Sequence, residues 1–383
     1  MDTERRLHVV HLVYRYASGG LENVVAQLIN GLDARRYRHT LVAVTDIDPA
    51  YRARLQAPNL QCIEFRKPQG SPLPHWPRMY RLLRNLQPDT LHCCNLAAMD
   101  FLPVAWAARV PWRVYVEHGW DASDAGGTHS GRRRNRQLMA PFAHRCVAVS
   151  KQIEVYLRDS VGLPARRIVR IDNGVDTTQF RPAEPGGQPP AGWPWSSGGE
   201  LVIGTVGRLD PVKDQARLLQ ALAALRARDD DGAKRVRLAL VGDGPLGSEL
   251  QAQAHALGLD DAIWWAGTRQ DVPALLRHFD VFVLNSIAEG TSCALQEALA
   301  TGLPVVATAV GGNAELLDSG RLGILVPPSD TQALTAALRA ALQLAANPQR
   351  RDQQCLAARK QVEARYGLPV VLARYDALLT PPA

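Results

Sequence analysis

Short apolar runs alternate with amphipathic stretches along this chain, and the alternation is interrupted once before it starts again. No other feature narrows the fold as far. The first series reads Leu7–Val13 as a strand, LENVVAQLINGL as a helix, Thr40–Val44 as a strand and Arg78–Leu86 as a helix. Strands at Asp89–His92, Trp112–Glu117 and Cys146–Val149 follow. Brief apolar runs separated by helical crossovers predict βαβ units and a parallel sheet. The interruption, RPAEPGGQPPAGWPWSSGGE at 181–200, is dominated by Pro, Gly and Ser and reads as a linker or surface loop. The second series then alternates strands at Leu201–Val206, Arg237–Val241, Ile263–Trp265, Val281–Leu284 and Pro304–Ala307 with helices at Lys213–Arg226, Leu246–Leu257, Val272–His278 and Cys293–Ala300.

The expected architecture is therefore α/β, with two doubly wound, Rossmann-like domains. One spans 1–180 and the other 201–365, joined by the 181–200 linker, and a helical pattern over 366–383 is expected to pack back on the first domain. A chain of 383 residues is too long for one comfortable core and suits this division. Ligands of such sheets bind at the carboxyl ends of the strands, so a ligand cleft is expected between the domains.

Charge and cysteine content bound the function classes. Residues 1–180 carry 25 Lys and Arg against 16 Asp and Glu, and the remaining residues carry 19 against 21, so the net charge of +7 originates wholly in the first half. A basic domain suits an anionic membrane surface or a phosphorylated substrate, or it is a solvated arginine-rich surface. Arg132, Arg133, Arg134 and Arg136 form one basic run, and Arg78, Arg81 and Arg84 recur at helical spacing beside Trp76. Both runs read equally as lipid-facing or as solvated. No interleaved aromatic platform accompanies them, which argues against nucleic acid. The six cysteines, at 62, 93, 94, 146, 293 and 355, form no CxxC pair and no zinc-ligand spacing, so free thiols and no metal site are expected. No apolar run approaches the roughly 20 residues needed to span a bilayer. The start, MDTERRLHVVHLVY, lacks the features of a signal peptide, so a cytoplasmic chain is expected.

Four segments carry chemistry. In NSIAEGTSCALQEALATGLPVVATAVGGNAE, Glu289 closes a loop after a strand, Thr291 or Ser292 caps the next helix, and Glu297 lies in its early turns. Unsatisfied amides at that helix start form a seat for a diphosphate. Taken alone, the two glutamates are equally a loop charge and a helix-surface charge. In GTVGRLDPVKD, Arg208 and Lys213 follow a strand end, where a guanidinium fork and an ammonium suit phosphate oxygens. Gly242–Gly247 fits GxGxxG, but the next strand ends without the acidic residue that a dinucleotide site wants. It reads as a structural turn with Pro245 at the first helical position. Glu117-His118-Gly119 ends a strand, and its lone His is structural or ligand-facing. Gly19-Gly20 is similarly a tight turn or a phosphate-facing loop.

Together, GGLENVV, EHGW, VAVS, NGVDTTQFRP, GRLDPVK, VGDGPL, the Glu-x7-Glu segment and VGGNAELL resemble glycosyltransferase family 4, whose members have the GT-B fold. The match runs along most of the chain in order. The HLVYRYASGGLENVV and YVEHGW segments are similar to sugar transferases of exosortase-associated exopolysaccharide clusters. The resemblance implies a retaining hexosyltransferase using a nucleotide diphosphate sugar, UDP-linked for preference, and a saccharide or lipid-linked acceptor, without metal or cofactor. It places the chain in the cytoplasm, at the inner face of the membrane when associated with it. It assigns Arg208 and Lys213 to the diphosphate and Glu297 to the ribose hydroxyls. Glu289, with the amides of Gly290, Thr291, Ser292, Cys293 and Ala294, is assigned to the donor sugar and phosphates. His118 is assigned to the sugar, Gly19 and Gly20 to the phosphate and acceptor, and Asn313 and Glu315 to a supporting loop. Thr291-Ser292-Cys293 departs from the bulky residue that many relatives carry after the Glu-Gly pair, which bears on donor selectivity. A sugar-nucleotide epimerase and a non-catalytic nucleotide-sugar-binding partner are the competing classes.

Overall fold

The computed structural model describes residues 5–17, 19–58, 60–119, 124, 127–184, 186–195, 199–227 and 231–382. The chain divides into two compact units. One holds 1–120, 126–174 and 368–383, and the other holds 175–367 with 121–125.

The first unit is built on seven parallel strands: β1 (Leu7–Val13), β2 (Tyr37–Ala43), β3 (Gln61–Glu64), β4 (Thr90–Cys94), β5 (Trp112–Glu117), β6 (Arg145–Ala148) and β7 (Ile168–Arg170). Their order is β3-β2-β1-β4-β5-β6-β7. The second has six parallel strands: β8 (Leu201–Val206), β9 (Val236–Val241), β10 (Ile263–Gly267), β11 (Val281–Leu284), β12 (Val305–Thr308) and β13 (Ile324–Val326), ordered β10-β9-β8-β11-β12-β13. In each sheet the winding reverses once, between β1 and β4 and between β8 and β11. In open sheets of this kind, such gaps are where the loops at the strand ends part and ligands generally bind. The strands missing from the sequence reading, β3, β7 and β13, are edge strands of three or four residues, too short to show a period.

Both faces of the second sheet are covered. One layer packs Leu275, Phe282, Leu295, Leu299 and Tyr366, and the other packs Leu218, Leu222, Leu238, Val283 and Leu338. At roughly 1.5–3 kcal/mol for each large side chain removed from water, these layers supply the main drive to fold.

Two boundaries differ from the sequence reading. The first unit ends at Gly174, not at 180, and the Pro- and Gly-rich stretch belongs to the second unit. Trp193 and Trp195 lie against Trp264 at ring-centroid distances of 5.5 and 6.2 Å, and Trp193 also stacks on Phe279 at 6.3 Å. Arg269 donates to the carbonyl of Ala191 at 2.8 Å. Two tryptophans bury enough aromatic surface to hold a stretch whose composition alone reads as linker; Pro185 and 196–198 lie outside the described residues. At the other end, Tyr366 closes the helix Pro348–Tyr366 of the second unit, and the helix of the first unit runs Leu368–Leu379. Asp376 on that helix takes both Arg36, at 2.6 Å, and the Tyr37 hydroxyl, at 2.8 Å. Trp112 donates its indole N–H to the Leu378 carbonyl at 2.8 Å.

A buried row of histidines crosses the first sheet. His11 Nδ1 lies 3.0 Å from His92 Nδ1, and His11 Nε2 lies 3.0 Å from His39 Nδ1. Tyr37 stacks on His39, Tyr375 meets His92 edge-on and Cys94 Sγ lies 3.7 Å from His92 Nδ1. A neutral imidazole offers one donor and one acceptor, so neutral rings satisfy such a series and charged ones do not. Burial holds His39 down to about 4 and His92 to about 3, and pushes His11 well below its ordinary value.

Candidate active site

In the second unit, the loops that follow the neighbouring strands β8 and β9 are stitched together. Gly207, after β8, donates to the Val241 carbonyl at 2.9 Å, and Leu209 donates to the Asp243 carbonyl at 3.0 Å. The GxGxxG loop is what makes this approach possible. A Cβ on Gly242 would stand 2.0 Å from the Gly207 oxygen, and one on Gly244 would stand 2.3 Å from the Leu209 oxygen. These glycines therefore serve backbone packing, as a structural turn does. Pro245 sits in the turn before the Gly247–Ala256 helix, not at its first helical position.

The β8 loop displays Arg208, whose side chain is 66% exposed and whose Nε lies 3.7 Å from Asp210 Oδ2. Asp210 caps the Pro211–Lys213 turn by accepting from the Val212 amide at 3.2 Å. Asp214 takes the left-handed conformation there, and its carbonyl is held by the Asn285 side chain. The Ile287 amide donates to the Val212 carbonyl at 2.8 Å, locking the β11 loop to the same turn.

These ties bring Lys213 and Glu289 together. Lys213 Nζ lies 2.5 Å from Glu289 Oε1, and the Ser286 hydroxyl donates to the same oxygen at 2.6 Å. Glu289 is 10% exposed and Lys213 24%, so the pair stands in a partly dehydrated place where its charges are weakly screened. Two residues that the sequence reading gave to different parts of a donor are thus each other's partner. Ser286 and Asn285, which hold them, carry no sequence signal beyond following a strand.

Past Glu289, the Gly290 carbonyl accepts from the Gly312 amide at 2.7 Å. Gly311, at φ +56, passes so close that a Cβ would lie 2.2 Å from the Glu289 oxygen. Of the two capping candidates the fold uses Ser292, whose hydroxyl accepts from the Leu295 amide at 3.3 Å and starts the helix Cys293–Thr301. Thr291 is buried before it, Cys293 and Ala294 open the helix half-buried, and Glu297 is half-buried one turn on. Asn313 supports the loop from below, donating to the Thr308 carbonyl at 3.0 Å.

In the first unit, Gly19 precedes the helix Gly20–Gly31, and a Cβ on it would meet Glu22 Oε2 at 2.1 Å. Glycine is needed so that the Glu22 carboxyl can fold back over the loop. Burial there raises Glu22 to about 7, and the sequence reading missed it. His118 follows β5. Both of its ring nitrogens are buried without a hydrogen-bond partner among the described residues, and burial lowers it to about 4. It is therefore a neutral ring with one unused donor and one unused acceptor. The Trp120 of the EHGW segment lies outside the described residues. Glu117 turns inward, accepting from the Tyr115 hydroxyl at 2.5 Å and from Arg136 Nε at 2.6 Å. This corrects the basic run: Arg136 is buried, while Arg134 is exposed and Arg132 and Arg133 are half-buried. Among the described residues, no group of three or more His, Cys, Asp or Glu is placed to hold a metal ion.

Residues 18–179 match the family described as Glycosyltransferase Family 4, and residues 200–344 match Glycosyl transferases group 1. The chain is 30% identical over 311 residues to the GDP-mannose-dependent alpha-mannosyltransferase of Mycolicibacterium smegmatis, covering 79% of this chain and 77% of that one. The chain belongs to glycosyltransferase family 4. This glycosyltransferase is also 29% identical over 262 residues to the exopolysaccharide phosphotransferase SCO2592 of Streptomyces coelicolor, covering 68% of this chain and 25% of that one. The structure of HepE from Anabaena in complex with UDP and glucose superposes with a TM-score of 0.79 at 22% identity, over 98% of this chain and 99% of that one. The fold of the glycosyltransferase is accordingly GT-B. Membership of the family sets aside the epimerase and the non-catalytic partner as readings of the chain.

Proposed function

We propose that the glycosyltransferase moves a hexose from a nucleotide diphosphate donor, UDP-linked for preference, to a saccharide or lipid-linked acceptor of exopolysaccharide synthesis, with retention at the anomeric carbon. The observation that carries this reading is the Lys213–Glu289–Ser286 arrangement at the β8/β11 gap, beside Arg208 and the capped start of Cys293–Thr301. An ammonium, a guanidinium and the start of a helix thus follow the neighbouring strands β8 and β11, and each suits phosphate oxygens. In transfer, the bond from the anomeric carbon to the phosphate oxygen breaks and its electron pair leaves with the nucleotide diphosphate. Arg208 and Lys213 meet that charge. The acceptor oxygen bonds to the anomeric carbon on the face the diphosphate left, and its proton passes to the departing phosphate oxygen. No side chain is assigned as general base.

In this reading Glu289 turns from Lys213 to the donor sugar, and the amides of Gly290 to Ala294 take the phosphates. Glu297 holds the ribose. His118 offers its unused donor and acceptor to sugar hydroxyls, and Gly19 and Gly20 lie near the phosphate and acceptor. The donor is handled without a metal. A second reading, a GDP-mannose donor, is favoured by the 30% identity to the mycobacterial mannosyltransferase. The exopolysaccharide setting draws on the GGLENVV and YVEHGW resemblance and on the Streptomyces relative.

The acceptor reading extends to the surface of the first unit. Arg78, Arg81, Arg84 and Tyr80 are exposed on the helix Trp76–Leu86, and Trp106 is 59% exposed on the neighbouring helix Leu102–Ala107. Basic and aromatic side chains together suit an anionic lipid surface, which supports the reading of the enzyme as a peripheral protein of the cytoplasmic face. No helix among the described residues is long and apolar enough to cross a membrane. Sedimentation with anionic and neutral liposomes tests this, and equal binding to both removes it.

The donor reading is tested with UDP- and GDP-linked hexoses in a thermal-shift panel, followed by turnover of Arg208→Ala and Lys213→Ala. Each substitution should lower kcat/KM by about 100- to 1,000-fold, the scale of a lost charge-stabilising group. Wild-type turnover in either folded variant would overturn the phosphate assignment.

A further inference from the structure

Asn95 stands immediately after β4, at the gap where the winding of the first sheet reverses. The β4–β5 ladder runs from Thr90↔Trp112 to Cys94↔Val116, and the two strands cease to pair beyond it. There the Asn95 side chain takes over. Its Oδ1 accepts the backbone N–H of His118 at 2.8 Å. Asn95 stands at φ +59, the left-handed region that asparagine tolerates better than most side chains but which still costs energy. A side chain held in a costly conformation to grip one backbone amide is doing positional work. The amide it grips belongs to the histidine whose two ring nitrogens are buried without a partner among the described residues.

We infer that Asn95 is the positioning residue of His118: its amide oxygen replaces the missing rung of the β4–β5 ladder and fixes the direction in which the imidazole is presented. The inference rests on the reading of His118 as a donor-sugar contact, and it adds a residue that does not itself touch substrate. Asn95→Gly keeps the left-handed backbone at no cost while deleting the acceptor. Asn95→Asp keeps an acceptor on a side chain of the same length. The pair therefore separates the hydrogen bond from the backbone conformation.

The test uses the full chain, selectively 15N-labelled at histidine, with the His118 ring signals assigned by their loss in His118→Ala. In Asn95→Gly these signals should shift or broaden, and in Asn95→Asp they should return toward wild type in pattern. Turnover is measured with UDP-glucose or GDP-mannose, whichever the wild type uses. Asn95→Gly should lower kcat by about 10- to 100-fold with donor KM nearly unchanged, the effect of misplacing a contact by about an ångström. Adding it to His118→Ala should cost nothing more. Unchanged His118 signals in Asn95→Gly overturn the inference, as does a double variant whose losses multiply. If His118→Ala keeps full turnover, the sugar-contact reading falls, and the ring signals still decide whether Asn95 orients the histidine.

Discussion

Acidification should weaken the first unit through its row of histidines, by an amount set by their burial. His11, His39 and His92 are 4% exposed or less and titrate in the folded state at about 4, at about 3 and, for His11, well below the ordinary value of 6.5. Their folded pKa values lie under the unfolded ones, so the unfolded chain binds more protons. Stability is then fully present above pH ~6.5 and is lost as pH falls from there toward the folded values. One pH unit below the unfolded pKa, each histidine withholds roughly 1 kcal/mol, and the three together a few kcal/mol, against a typical total of about 5–15. The groups facing the row include His118, which bears on His92, with Tyr37, Thr40, Cys94, Tyr375 and the His8 that bonds Thr40, and Arg38 and Asp89 near His8. Glu22 works the other way. Its folded pKa of about 7 makes folding easier as pH falls, by about 2 kcal/mol over the interval from about pH 7.5 to 5.5.

The histidine share is isolated by His39→Gln, which retains a hydrogen-bonding partner for His11 but cannot gain a proton. Amide exchange of β1 and β4 under increasing urea reads the stability of the first unit at both pH values. The wild type should lose roughly 1 kcal/mol more than the variant between about pH 7.5 and 5.5. An identical pH dependence in the two proteins would refute the reasoning, because it would mean that His39 does not change its proton count on unfolding.

Other outcomes follow from single contacts. Ser292→Ala removes the cap of Cys293–Thr301 and should cost about 1 kcal/mol by urea denaturation, with weakened donor binding in the same thermal-shift panel. Trp193→Ala should destabilise the second unit by about 2–4 kcal/mol, since the ring is packed among Trp195, Trp264 and Phe279; a stretch acting as a bare linker would show no loss. Turnover should be unchanged by EDTA, and restoration of lost activity by an added divalent ion would contradict the metal-free reading.

Much of the frame was legible because parallel strands buried on both faces are continuous apolar runs, and β1, β5, β8 and β11 lie where those runs lie. The candidate site segments were legible only as positions that follow strands, where Arg208, Lys213, Glu289 and His118 all stand. What escaped the reading were partners distant in sequence. Nothing in the order of residues says that the Lys213 ammonium meets the Glu289 carboxylate 76 positions away, or that Arg136 leaves its basic run to neutralise Glu117 in the interior.

The local order of apolar and polar residues therefore determined the α/β class, the two sheets and the loops that follow their strands, because strand and helix periods are properties of neighbours along the chain. Only the tertiary structure decided which side chains pair, which histidines are deprived of water, and that 181–200 is held by its tryptophans. Desolvation and charge pairing depend on what packs around a group, and packing joins residues that the sequence keeps apart.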